Sequence, residues 1–126
     1  MPDLSLRYAS GAVHGEMLVV SITTDQIRDS TLAYALRDEI ISLVEATKVR
    51  NVVLDLEKVH FIGSVGFLAF LGVRRHLGGG RIVLCNMSEP IRQMFAVCRL
   101  IPADTATTAP FEVEANLDAA LLRLAS

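Results

Sequence analysis

Apolar and polar residues alternate along "LSLRYA", residues 4–9, which predicts a half-buried strand. "SGAVHGE" (10–16) then supplies turn residues. "MLVVSI" (17–22) is a continuous apolar run and predicts a more central strand, so the two segments together predict a hairpin at one edge of a sheet. The period changes after "TTDQIRDS". Leu32, Leu36, Ile40, Leu43 and Val44 recur at spacings of three and four, the pattern of an amphipathic helix. Asp29 or Ser30 suits its N-cap, and Lys48 and Arg50 suit its negative end. "NVVLDL" (51–56) predicts a short buried strand. A helix is expected from Val65 to Leu77, followed by "GGG" and the strand "RIVLC" (81–85). Ser88 is placed to cap another helix, with Pro90 in its first turn. "IPADTATTAP" (101–110) reads as a loop of small and polar residues, "FEVEA" (111–115) as a last strand, and "NLDAALLRLA" as a terminal helix capped by Asn116.

The expected order is β-β-α-β-α-β-α-β-α. Strands alternating with helices imply an α/β fold with a single mixed, mostly parallel β-sheet, an antiparallel edge hairpin and flanking helices. With 126 residues, 52% of them hydrophobic, the chain is expected to form one domain over 1–126 with a substantial core. Its net charge of −2, and the lack of any Lys or Arg run longer than two, argue against nucleic acid and polybasic membrane binding. The longest apolar stretch is too short for a membrane span of about 20 residues. No signal peptide is expected from "MPDLSLRYASG". Cys85 and Cys98 lie in apolar surroundings without a CxxC or CxxH pattern, and are expected to be two reduced, buried thiols of a cytoplasmic protein.

Motifs of chemistry are weak. Gly78-Gly79-Gly80 leaves a helix and enters a strand, the reverse of a phosphate loop, so a helix C-cap and tight turn are expected. His14, His60 and His76 show no metal-ligand spacing, and neither a metal nor a cofactor is expected. His60 precedes Ser64 by four residues, but no GxSxG elbow exists, so catalysis is not expected. His60 reads as a loop residue partly packed under a strand end. Asp25 and Asp55 follow strands, where α/β proteins place their sites, and capping of the local turns is the simpler reading.

Ser64 is the unusual residue. In "HFIGSVGFLAFLGV" (60–73) it stands one residue before a helical run, where its oxygen is placed to cap the helix. The same place suits a phosphate, because a helix N-terminus is partially positive. Gly63 and Gly66 remove bulk beside it, which would let a partner backbone approach. The helix itself is apolar nearly all round. Val65, Leu68, Ala69, Gly72 and Val73 form one face, with Phe67, Phe70 and Leu71 beside them. Either the terminal helix covers the second face or a partner does.

The stretch "NVVLDLEKVHFIGSVGFLAFLGVRRHLGGGRIVLCNMSEPIRQMFAVCRL", residues 51–100, resembles the central half of a STAS domain, the domain of sulfate transporters and anti-sigma factor antagonists. Thr23-Thr24-Asp25 and the long helix after them are compatible with it. The resemblance implies a non-enzymatic domain that docks a protein partner, such as a serine-kinase-type anti-sigma factor, through the Ser64 loop and the following helix. It implies Asp25, His60, Gly63, Ser64, Val65, Gly66, Phe67 and Phe70 as partner-binding residues. Antagonists switched by phosphate carry Asp-Ser-Ser/Thr-Gly, with the phosphate on the second hydroxyl. Here Gly63 stands in the Asp position, Ser64 in the first hydroxyl position and Val65 in the acceptor position. Ser64 is thereby left as the one candidate phosphosite of the loop. Two alternatives stay open: a cytoplasmic accessory subunit of a lipid or anion transporter, and a nucleotide or small-ligand sensor using Asp25, Asp55 and the Ser64 loop. The oligomeric state is not legible in the sequence.

Overall fold

The computed structural model describes residues 4–102 and 109–125. Residues 103–108, most of the expected loop after Ile101, lie outside them. A five-stranded sheet runs in the order β1 (Ala9–His14), β2 (Met17–Ile22), β4 (Asn51–Asp55), β6 (Ile82–Cys85), β7 (Glu112–Glu114). The β1-β2 pair is antiparallel and every other pair is parallel, as the sequence pattern predicts. Two short strands that the pattern does not predict, β3 (Gln26–Ile27) and β5 (Phe61–Ile62), form a separate parallel pair.

The first strand lies further along than expected. It spans 9–14, not 4–9, and only Gly15 and Glu16 form the turn, with Gly15 at φ +61. The small residues that read as turn chemistry are there for packing. A Cβ at Gly11 would stand 3.3 Å from Leu18 Cδ1 and 3.4 Å from both Leu43 methyl carbons, so the strand needs little bulk where the first helix crosses it. Residues 4–6 fold back on this edge through Leu6 N–H to Ala9 O and Gly11 N–H to Leu4 O.

Among the described residues four helices flank the sheet: α1 (Ser30–Thr47), α2 (Ser64–Leu77), α3 (Glu89–Val97) and α4 (Leu117–Ala125). Most caps follow the sequence reading. Asp29 Oδ1 accepts Leu32 N–H at 2.8 Å, Ser88 Oγ accepts Ile91 N–H at 3.4 Å, and Asn116 Oδ1 accepts Ala119 N–H at 2.9 Å. α1 ends on Lys48 and α2 on Gly78, both left-handed at φ 58. The Gly78–Gly80 segment is therefore the expected C-cap and turn.

α1, α2 and α3 share one face of the sheet, where Leu18, Val20, Val52, Leu54, Ile82 and Leu84 bury against Leu36, Ile40, Phe70 and Phe95. Phe95 lies among three rings, with centroids at 4.8 Å (Phe67), 6.2 Å (Phe70) and 6.1 Å (Phe111). α4 packs on the other face, against Val19, Val53, Val83 and Cys85. Of the two covers considered for α2, the terminal helix is thus not the one. α1 packs along α2, Phe95 of α3 meets Phe67 and Phe70, and α4 lies across the sheet.

Candidate functional site

The β3-β5 pair builds the site. Gln26 pairs with Phe61 and Ile27 with Ile62. His60 N–H donates to Asp25 O at 2.7 Å and Gly63 N–H to Ile27 O at 2.8 Å. Residues 25–27 on one side and 60–63 on the other thereby tie the loop after β2 to the loop after β4. This pairing brings Asp25 and His60 together in space, and both are exposed. His60 is not packed under a strand end as expected; it is exposed, and the buried residue beside it is Val59.

α2 begins at Ser64 with Gly63 as its N-cap, extended at φ −76 and ψ 168, and with no side-chain capping bond. The expectation that Ser64 caps the helix is therefore wrong by one residue. Gly63 is already held by Ile27 O, and its own carbonyl accepts Gly66 N–H at 2.9 Å, so the turn into helix is made before Ser64. Glycine is an acceptable N-cap residue. Ser64 is left exposed in the first turn, with its hydroxyl committed to no cap.

Gly66 also has a different duty from the one expected. A Cβ there would lie 2.6 Å from Ile62 Cγ2 and 3.1 Å from Ile27 Cγ2. The missing side chain lets α2 sit directly on the β3-β5 pair, and Gly66 is buried, not a point of approach for a partner. Phe67 and Phe70 are corrected likewise. At 7% and 1% exposure they pack on Phe95, Phe67 edge-to-face and Phe70 stacked, and support the surface from beneath. Gly63 and Val65 are half-buried, and Val65 packs on the core.

What the surface does expose is apolar and cationic. Phe61 and Leu68 are 43% and 58% exposed. The Arg28 guanidinium lies 5.5 Å from the Phe61 ring centroid, and its Nε donates to Gln26 Oε1. Beside them, Phe67, the α3 residues Pro90, Met94 and Val97, and Cys98 just after α3 line a groove of about 430 Å³. Sequence reasoning placed Leu68 on a helix face but left it out of the site, and it missed Phe61 and Val97. A signal for Val97 existed. Ile91 and Phe95 define the buried stripe of α3, and Val97 falls on the opposite side of the helix.

Cys98 is exposed, contrary to expectation, because it follows that outward turn of α3. Cys85 is buried, and its thiol is pushed up to about 12, chiefly by burial and then by Asp55 and Glu57. A thiol held so high is not a nucleophile at neutral pH. Asp55 does the local work expected of it. Its Oδ1 accepts Glu57 N–H at 3.0 Å and Asn86 Nδ2 at 3.2 Å. Among the described residues no helix is long and apolar enough to cross a membrane.

The family model described as the STAS domain matches residues 12–115. The chain belongs to the STAS domain family. This STAS domain is similar in structure to an anti-sigma factor antagonist from Mycobacterium paratuberculosis, with a TM-score of 0.75 and 26% identity over 94% of this chain and 93% of that one. It is also similar to the phosphorylated form of the Bacillus cell fate determinant SpoIIAA, with a TM-score of 0.64 and 22% identity over 92% and 98%. A third likeness is to the murine Solute Carrier 26 family member A9 anion transporter, at TM-score 0.68 and 15% identity over 88% of this chain and 18% of that one. The last two share the fold. No curated protein matches the chain by sequence.

Proposed function

We propose that this STAS domain is a non-catalytic docking module of the anti-sigma factor antagonist kind, acting in partner switching. It binds a serine-kinase-type anti-sigma factor through the surface around Ser64. The single observation behind this reading is the pairing of β3 with β5, which holds an apolar and cationic patch of Phe61, Leu68 and Arg28 beside an uncommitted Ser64 hydroxyl. Apolar anchors ringed by charge are how protein interfaces concentrate affinity. The 26% identity with an antagonist over nearly the whole of both chains supports the same reading. The likeness to the anion transporter extends to the fold alone, so the antagonist reading is preferred over a transporter subunit.

In this reading the docking surface is not switched by phosphate in the usual way. Val65 stands in the family's acceptor position, carries no oxygen and packs on the core. The test is incubation of the wild type, Val65→Thr and Ser64→Ala with the serine-kinase-type anti-sigma factors of the same organism, followed by intact-mass analysis and gel filtration. The wild type is expected to form a complex and carry no phosphate, while V65T gains one. Failure of every such factor to bind would overturn the docking assignment. Stoichiometric phosphate on the wild type, lost in S64A, would overturn the unswitched reading.

A further inference from the structure

A second surface lies at the other end of α2. Arg74, Arg75, Arg81 and the Gly78–Gly80 turn line an open recess of about 410 Å³, within the size range of about 300–1,000 Å³ typical of small-ligand sites. Arg50 reaches the same turn, with Nη2 at 3.4 Å from Gly78 O. Glu112 is the carboxylate on the recess wall. Among the described residues, three lining guanidiniums stand against one lining carboxylate, with Arg50 at the edge, in a chain whose formal net charge is −2.

The donor capacity left over is that of Arg75 and most of Arg74. Glu112 is taken up by Arg81 at 2.6 and 2.8 Å and by Arg123 at 2.7 Å. Among the described residues Arg74 uses only its Nε, on Pro110 O at 3.0 Å. Arg75 is exposed, and among the described residues its side chain has no hydrogen-bond or ion-pair partner. The end of a helix is partially negative and would oppose an anion. Here the end is partly neutralised. Arg75 O accepts Gly78 N–H, Leu77 O accepts Gly80 N–H, and Gly78 O accepts Arg50. The glycines add no side chain that would block approach to the guanidiniums.

We propose that this recess binds a small molecule carrying two or more adjacent phosphate groups. Planar guanidinium forks pair two-to-two with phosphate oxygens, which an ammonium cannot do. Several such forks around one open recess suit more negative charge than a single phosphate carries. The site lies away from the Ser64 surface and does not depend on what docks there.

The experiment is a titration of the full chain with sodium pyrophosphate, followed through backbone amide resonances. Saturable shifts confined to residues 74–81 are expected, weakening as salt is raised. Orthophosphate should bind about tenfold or more weakly, since it meets fewer of the forks. Arg74→Gln with Arg75→Gln should weaken pyrophosphate binding at least as much, while Arg7→Gln, just before the sheet edge at β1, should not change it. R75Q alone gives up no bond and carries the test if the double variant does not fold. Absence of shifts at 74–81 at several millimolar pyrophosphate would overturn the proposal, as would unchanged binding by the Arg74 and Arg75 variants. So would co-sedimentation with phosphatidylglycerol vesicles in place of pyrophosphate binding.

Discussion

Gly66 and Ile62 meet so closely that a methyl group at position 66 would stand 2.6 Å from Ile62 Cγ2. Ile62 is fully buried and β-branched, so it has little freedom to yield. Gly66→Ala gains about 1 kcal/mol of helix propensity, but overpacking of this kind costs about 1–3 kcal/mol. The helix must also lift from the β3-β5 pair. We expect G66A to lose stability in urea denaturation and to loosen the Ser64 loop, seen as faster amide exchange at Gly63 and His60. An unchanged or raised midpoint would contradict the packing account.

Ser64→Ala is expected to change stability by no more than about 0.5 kcal/mol, the range of a surface residue without a special contact. Asp29→Ala should cost about 0.5–2 kcal/mol, because Asp29 Oδ1 holds Leu32 N–H at the head of α1. The comparison of the two midpoints separates a serine that caps from one that is merely exposed. A large loss in S64A would restore the capping role.

The contrast between these two residues shows what the sequence made legible. Asp29, Ser88 and Asn116 each lie at a clear change of hydrophobic period, and each is found capping the helix it announces. Ser64 follows a glycine that is pinned by a backbone partner 36 residues away, Ile27 O. No local pattern encodes that bond, nor the two-residue strands on either side of it. The chain order of the main elements, the parallel direction and the edge hairpin were legible because they follow from alternation and length. The burial of Phe67 and Phe70 was not, because an all-round apolar helix does not say which neighbours cover it. The first strand was displaced for a similar reason: Ser10, Gly11 and Ala12 resemble a turn until α1 is seen lying over them.

Glu112 supplies a pH signature at the other edge of the sheet. Its carboxyl is lowered to about 2, first by the hydrogen bond from Arg81, against the opposing effect of burial, and further by Arg123. The folded-state value is below the unfolded value of about 4.3. Its stabilisation is therefore complete above about pH 4.3 and is lost as pH falls toward 2. Glu112→Gln should be less stable than wild type at neutral pH. The gap should close between these two pH values in thermal melts. A gap that stays constant down to pH 2 would show that the carboxylate's charge contributes nothing.

The most direct test of the docking claim is calorimetric titration of a serine-kinase-type anti-sigma factor with Leu68→Asp. Leu68 is 58% exposed, so the variant should fold as the wild type does, while a charge is placed in the centre of the proposed surface. Leu122→Asp serves as the control, being 72% exposed on α4 across the sheet. We expect L68D to weaken binding tenfold or more, a loss of at least about 1.4 kcal/mol, with L122D unchanged. Wild-type affinity in L68D, or loss of binding in L122D with the fold intact, would contradict the account.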